Sequence, residues 1–320
     1  MKILFVLEVL FVIAHAKEYR FDYEWNDEAG GWLKYHLVPS TWDEARLRCH
    51  AEGAILASPI TSQLKEAIVA FVTNKSRSRD EQGLTIFTGV HATFSKGDYS
   101  SIEGVPLLRL AITWALGEPD NYKNSESCLA MLIFTNGTMV DTVCNRVLPY
   151  VCYKKDTALI ITECGTTDPE YVKESRTGSC YKFHKIGLVW SEAYMTCVAE
   201  GGYLAVINNE LEAKVIMEII SKNPVDSIVA YYNNITSVGF HDWGHYGTHF
   251  MTIHGETLEN DYNVWNSGEP NNITRQRSGD LGESCGSVWR NVHWNDNLCN
   301  VPTAFLCEKL PNSLSKNFKI

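Results

Sequence analysis

Two stretches of the chain carry the same helical pattern. Over residues 41–52 the apolar positions Trp42, Ala45, Leu47 and Cys49 recur at helical spacing, and the run stops at Gly53. Over residues 191–200 the pattern returns and stops at Gly201-Gly202. Each is followed by a second periodic run, residues 62–72 in one half and 210–221 in the other. Short β-branched or apolar runs downstream predict strands at residues 84–87, 129–134, 227–232, 287–289 and 303–307. Between them lie long Gly- and Asn-rich stretches without period, residues 239–272 being one. Two helices, short strands and one very long loop predict an α+β domain that carries its function on the loop.

The two halves are copies of one plan. Trp42-Asp43-Glu44-Ala45 matches Trp190-Ser191-Glu192-Ala193, and Ala51-Glu52-Gly53 matches Ala199-Glu200-Gly201. Trp190 follows Trp42 by 148 residues and Cys307 follows Cys152 by 155, so the second copy carries net insertions. A repeat unit this large means two similar globular domains, not a solenoid. The domains span residues 17–155 and 164–310, with a junction at 156–163 and a polar tail at 311–320.

Composition supports folded domains: of 320 residues, 45% are hydrophobic and 21% charged, which excludes disorder, collagen and coiled coil. A formal net charge of -10 repels phosphate backbones and anionic lipid, which argues against nucleic-acid and polybasic membrane partners. The basic clusters around Lys75, Arg77 and Arg79 and at Arg275 and Arg277 read as solvated loops. Residues 1–16, with Lys2, an apolar run and Ala14-His15-Ala16, read as a secretory leader, so the mature chain starts at Lys17 and is secreted. No run reaches the ~20 apolar residues that span a bilayer. Ten cysteines then become informative, at 49, 128, 144 and 152 and at 164, 180, 197, 285, 299 and 307. Both groups are even and no close pair is a CxxC, so structural bridges are the plain reading; the residues alone leave the pairing open.

One constellation in the second copy carries chemistry. Glu269-Pro270-Asn271 precedes Glu283, which stands just before Cys285, and Trp294-Asn295-Asp296 ends just before Cys299. Three carboxylates and two amide carbonyls are hard oxygen donors, suited to Ca²⁺ and unsuited to zinc. In the first copy the corresponding residues are Glu118-Pro119-Asp120, Glu126 and Met139-Val140-Asp141, so one amide has become an apolar valine.

The Trp-x6-Cys helix, the Glu-Pro-Asn, the Trp-Asn-Asp and the cysteine spacing resemble the C-type lectin carbohydrate-recognition domain, over about residues 32–155 and 164–310. The resemblance implies two tandem C-type lectin-like domains, each a disulfide-stapled α+β unit with a long calcium- and sugar-binding loop. It implies Ca²⁺ held by Glu269, Asn271, Glu283, Asn295 and Asp296, with the ion completed by two neighbouring sugar hydroxyls. Glu269, Asn271, Glu283 and Asn295 would also hydrogen-bond those hydroxyls, and Glu-Pro-Asn goes with mannose- and N-acetylglucosamine-type sugars. A cis proline between the ligands is usual in such sites. The implied disulfides are Cys49–Cys152, Cys128–Cys144, Cys164–Cys180, Cys197–Cys307 and Cys285–Cys299. The first copy keeps Glu118, Asp120, Glu126 and Asp141 as a weak metal site of unreadable sugar preference. An auxiliary second Ca²⁺ is not expected, because the positions it would use are Asn272 and Ser284.

Two domains behind a leader are similar to the immulectins of moths, which implies a non-enzymatic innate-immune lectin. By that resemblance it binds glycans of microbial surfaces, lipopolysaccharide or mannan, in body fluid, and meets host immune-cell or plasma proteins. The alternative is a protein-binding module on the same fold that has lost calcium-dependent sugar binding. His241, His245, His249 and His254 crowd the long loop but are interrupted by Gly244 and Gly247, so they read as solvated or aromatic-stacked. Sequons at Asn74, Asn136, Asn234 and Asn272 are candidate glycosylation sites, and a glycan on Asn272 would crowd the sugar site.

Overall fold

Thr41 starts the first helix by local chemistry. Its side chain accepts from the Glu44 backbone N–H, and the Glu44 carboxylate accepts from the Thr41 N–H in return, a reciprocal cap. The computed structural model describes residues 19–76, 84–93, 97–157, 160–242, 249–258, 262–273 and 282–315. The leader, His245, Arg77, Arg79, Arg275 and Arg277 lie outside the described residues.

The first domain runs β1 (Gly31–Ser40), α1 (Trp42–Ala51), α2 (Ser62–Lys75), β2 (Thr85–His91), β3 (Cys128–Leu132), β4 (Thr138–Thr142) and β5 (Leu148–Lys155). The second repeats it as β6 (Cys180–Leu188), α3 (Trp190–Ala199), α4 (Glu210–Ser221), β7 (Tyr232–His241), β8 (Glu283–Trp289), β9 (Trp294–Leu298) and β10 (Thr303–Lys309). Strand order is β1-β5-β2-β3-β4 in one sheet and β6-β10-β7-β8-β9 in the other. The pairs β2–β5 and β7–β10 are parallel and the other neighbours in these orders are antiparallel.

One reading from periodicity was displaced. The strand expected at 227–232 is a 3-10 turn, Val225–Ser227, and a short connection, and β7 begins where that run ends. The polar Asn233-Asn234 pair breaks the β-branched run, while burial inside the sheet carries the strand on through Ile235, Val238 and Phe240. Likewise α2 continues past Val72 to Lys75, with its last turn exposed.

Helix α2 lays Leu64, Ala67, Ile68, Phe71 and Val72 against Val90, Leu129, Met131 and Met139 of the sheet. Helix α4 does the same in the second domain with Ala213, Val215, Ile216 and Ile220. A smaller core in each domain forms around Cys49–Cys152 and Cys197–Cys307. The remaining disulfides are Cys128–Cys144, Cys164–Cys180 and Cys285–Cys299. Each domain also buries one carboxylate at the end of its first helix. Glu52 meets Lys34 at 2.7 Å, Tyr23 at 2.7 Å and His36 at 3.2 Å. Glu200 meets Lys182 at 2.8 Å, Tyr171 at 2.9 Å and His184 at 3.1 Å. Those partners hold both carboxyls below the usual range despite the burial that opposes ionisation.

The chain ends tie the two domains together. Arg20, 5% exposed, donates from Nη1 to the Ala199 carbonyl (2.8 Å) and the Glu52 carbonyl (3.3 Å), a cation set at two helix C-termini. The Phe21 N–H donates to the Leu314 carbonyl at 3.2 Å, and the Leu314 side chain packs on Gly201. The first residues of the tail are thus packed on the folded domains through Leu314.

Candidate functional site

The loop between β7 and β8 of the second domain delivers Glu269 and Asn271 to one edge of the sheet, where β8 contributes Glu283 and β9 contributes Asn295 and Asp296. Asp296, 1% exposed, is the anchor. Its carboxylate accepts from the Asn271 N–H (3.1 Å) and the Asn272 N–H (2.7 Å), which fixes the loop on the strand. Asn272 is left-handed (φ 44°), and its Oδ1 accepts from the Glu283 N–H at 3.1 Å. Glu283 Oε2 and Asn271 Oδ1 both accept from the Ile273 N–H, at 3.0 and 3.1 Å. The Glu269–Pro270 peptide is cis.

Glu269 stands apart among these groups. Its Oε2 is buried without a hydrogen-bond partner. Burial, with Asp296 and Glu283 close by, pushes its carboxyl up to about 7. A buried acceptor left unpaired beside two further carboxylates is costly, and a divalent cation would relieve it. The donor set consists of hard oxygens, so the residues fit Ca²⁺.

Asn295, also expected as a ligand, is held differently. Its Oδ1 accepts from the Trp289 indole N–H at 3.0 Å, and its Nδ2 donates to Ser287 Oγ at 3.0 Å and to the Asp296 carbonyl at 2.5 Å. The roles of Ser287, Trp289 and Asn272 were not read from the sequence. The signal was the alternation in β8, which puts Ser287 and Trp289 on one face, with Ser287 paired directly to Asn295.

The first domain keeps the same scaffold with altered side chains. Asp141 accepts from the Asp120 N–H (3.1 Å) and the Asn121 N–H (2.9 Å), Asn121 is left-handed (φ 46°), and Glu126 accepts from the Tyr122 N–H (2.7 Å). Glu118, Asp120 and Asp141 bring one oxygen each within 4.8 Å of one another. Glu118 Oε2 is buried without a partner, and burial with Asp141 and Asp120 alongside pushes its carboxyl up to about 7. The Glu118–Pro119 peptide is also cis. Val140, in place of Asn295, pairs with Ala130 where the second domain has Ser287, and Leu132 stands in the place of Trp289. The whole support of the amide has gone with it.

Two other groups of possible ligands, around His36, Glu52 and Cys152 and around His184, Glu200 and Cys307, have their cysteines in disulfides and their acids in ion pairs, so they are structural. Of the expected loop histidines, His241, 7% exposed, tilts on Trp190, His254 meets Tyr203 edge-on, and His249 is exposed. A cavity of about 880 Å³ lies between the domains, lined by Arg20, Leu47, Lys154, Lys182 and His184 among others, away from both loops. Asn74 and Asn136 are exposed, while Asn234 and Asn272 are half-buried.

Fold and loop together define a double-domain protein that gathers oxygen-donor side chains at one sheet edge of each domain. The lectin C-type domain model matches residues 38–154 and again 186–309, and the chain belongs to the C-type lectin family, whose members are non-enzymatic. A hemolymph lipopolysaccharide-binding protein of Periplaneta americana is 35% identical over 127 residues, 38% of this chain and 48% of that protein. C-type mannose receptor 2 of Mus musculus is 26% identical over 281 residues, 84% of this chain and 17% of the receptor. The chain thus spans less than half the length of these relatives. The mouse scavenger receptor C-type lectin carbohydrate-recognition domain aligns with 22% identity and a TM-score of 0.36, over 45% of this chain and 97% of that one. Among the described residues no helix is long and apolar enough to cross a membrane.

Proposed function

We propose that the chain is a secreted, calcium-dependent lectin that recognises mannose- and N-acetylglucosamine-type sugars on microbial surfaces, as an innate-immune recognition protein of body fluid. The observation that carries this is the buried, unpartnered Oε2 of Glu269 amid Asp296 and Glu283. Glu269, Asn271, Glu283, Asn295 and Asp296 would hold the ion. When bound, it supplies open coordination for two neighbouring sugar hydroxyls. Asn271 presents an exposed amide while its Oδ1 is tied to the Ile273 N–H, which leaves its N–H₂ to donate to a hydroxyl. Glu269 and Glu283 would accept from the same hydroxyls. The lipopolysaccharide-binding relative supports bacterial glycans as targets, with fungal mannan a second target and host plasma or immune-cell proteins further partners.

A second reading holds for the first domain. It keeps the cation cradle of Glu118, Asp120, Glu126 and Asp141 but lacks an amide at Val140, so it binds Ca²⁺ weakly and serves as a protein-binding surface.

A glycan array run in calcium and again in chelator tests the main reading. Chelator-sensitive signal on mannose or N-acetylglucosamine spots is expected; signal that ignores chelator, or none, would overturn it. Asn295→Ala with Asp296→Ala should abolish retention on mannose resin, and Glu269→Gln with Asn271→Asp should move preference toward galactose.

A further inference from the structure

The crevice between the domains is held by bonds that neither cation cradle uses. Arg20 donates to the Ala199 and Glu52 carbonyls at the ends of α3 and α1, and Arg48 Nη1 reaches the Met195 carbonyl of α3 at 3.3 Å. The cavity of about 880 Å³ beside them falls within the ~300–1,000 Å³ of small-molecule sites, which favour domain interfaces. Both domains give it apolar lining, Leu47 and Ile55 from the first and Ile186, Leu188 and Phe305 from the second. Leu47 is 52% exposed and Ile186 70%, so apolar surface in the crevice stays in contact with water.

The charged groups of the lining are not equivalent. Glu52 is held by Lys34 at 2.7 Å, and Lys182 takes Asp168, Glu170 and Glu200 at 2.6, 3.4 and 2.8 Å. Arg20 is occupied by Asp22 and the two carbonyls. Lys154 and Lys155, at the end of β5, also line the cavity and have no ion-pair partner among the described residues. Lys154 is half-buried, its ammonium lies 5.8 Å from the Tyr19 ring, and desolvation pulls it below the usual lysine range. A cation that has lost water without gaining a counter-ion is unfavourable, and an incoming anion relieves it.

We propose that this crevice binds a single-chain anionic amphiphile, with its apolar chain against Leu47, Ile55, Ile186 and Leu188 and its head group on Lys154 and Lys155. A bare phosphate leaves the apolar lining wet, and an uncharged chain leaves both ammonium groups without a counter-ion. The volume matches one small ligand rather than a bilayer face. The crevice is separate from both cradles, so the inference stands whether or not the chain binds calcium.

The test is titration calorimetry on the full chain in chelator, so that neither cradle holds an ion. Octyl, decyl and dodecyl phosphate are titrated below their micelle-forming concentrations. One site per chain is expected, with affinity rising about two- to fourfold for each added methylene. A neutral dodecyl polyoxyethylene ether should bind about tenfold more weakly than dodecyl phosphate. Lys154→Met should weaken dodecyl phosphate about tenfold and leave the neutral ether unchanged. Lys155→Met, at an exposed position, gives the same reading should Lys154→Met fail to fold. Ile186→Asp should weaken both ligands about fivefold or more, whereas Leu108→Asp, 98% exposed and outside the lining, should weaken neither. Absence of phosphate binding, affinity indifferent to chain length, or equal binding by the folded lysine variants would overturn the proposal. Retention on phosphatidylglycerol vesicles without binding of the monomeric phosphates would overturn it in favour of a membrane surface.

Discussion

Replacing Arg20 by alanine should loosen the junction between the two domains more than any surface position would. The guanidinium is 5% exposed, and its shortest bond, 2.8 Å, goes to Ala199 at the end of α3, across the domain boundary. A hydrogen bond from a charged donor contributes about 1.5–3 kcal/mol, and truncation strands that carbonyl. The Glu52 carbonyl loses less, because its contact is longer (3.3 Å) and Tyr19 also donates to it. Asp22 keeps Lys34 at 2.7 Å, so its partly exposed pair with Arg20 adds little. The total is about 3 kcal/mol. For a domain of this size that corresponds to roughly 6–12 °C of melting temperature, read by differential scanning calorimetry at neutral pH with disulfides intact. Arg20→Lys should recover only part, since it keeps the charge and loses the fork. Because the Leu314 side chain packs on Gly201, next to the Ala199 carbonyl that Arg20 holds, the effect should also be non-additive with Leu314→Ala by at least about 0.5 kcal/mol. A shift below about 1 °C for Arg20→Ala, or strict additivity, would refute the view that the chain ends key the domains together.

Three further outcomes follow from particular residues. Burial pushes the Glu308 carboxyl up to about 7, and its Oε2 has no partner. A raised carboxyl is protonated in the folded state where the unfolded chain is ionised, so stability should fall as pH rises from about 4.5 to 7, by at most ~3 kcal/mol. Glu308→Gln should remove that decline in urea midpoints taken at pH 5 and pH 8, and an equal decline in the variant would contradict the assignment. Val140→Asn alone should cost about 1–3 kcal/mol, because Ala130 and Leu132 cannot bond the new amide, whereas adding Ala130→Ser and Leu132→Trp should recover it. The same chemical unfolding series decides this, and a neutral single substitution would count against the paired-support argument. Gly201→Ala should destabilise by about 2 kcal/mol or more, since φ is +85° and a Cβ would lie 2.3 Å from Leu314 Cδ2. Leu314→Ala should relieve part of that cost, and a melting temperature unmoved by Gly201→Ala would refute the close packing of the tail.

The sequence by itself determined the two-domain plan and the α+β class. Helix periodicity, the stop at Gly53 and the repeated tryptophan-to-cysteine spacing are local signals, and local signals survive in one dimension. The types of donor in the loop were equally legible, because Glu-Pro-Asn and Trp-Asn-Asp name their own chemistry. Strand boundaries were less so: β7 was displaced from 227–232 because burial in the sheet, not propensity, carries it through Asn233-Asn234. Only tertiary structure decided how the donors are used. Residues far apart in sequence converge so that Asp296 ties down the Asn271 and Asn272 amides and Glu269 is left with a buried, unpaired oxygen. The indole of Trp289 and the hydroxyl of Ser287 consume the Asn295 amide, which no spacing rule would show. The same holds for Arg20 and Leu314, whose sequence neighbourhoods look like polar chain ends. Their burial between the domains depends on which surfaces the two folded units turn toward each other.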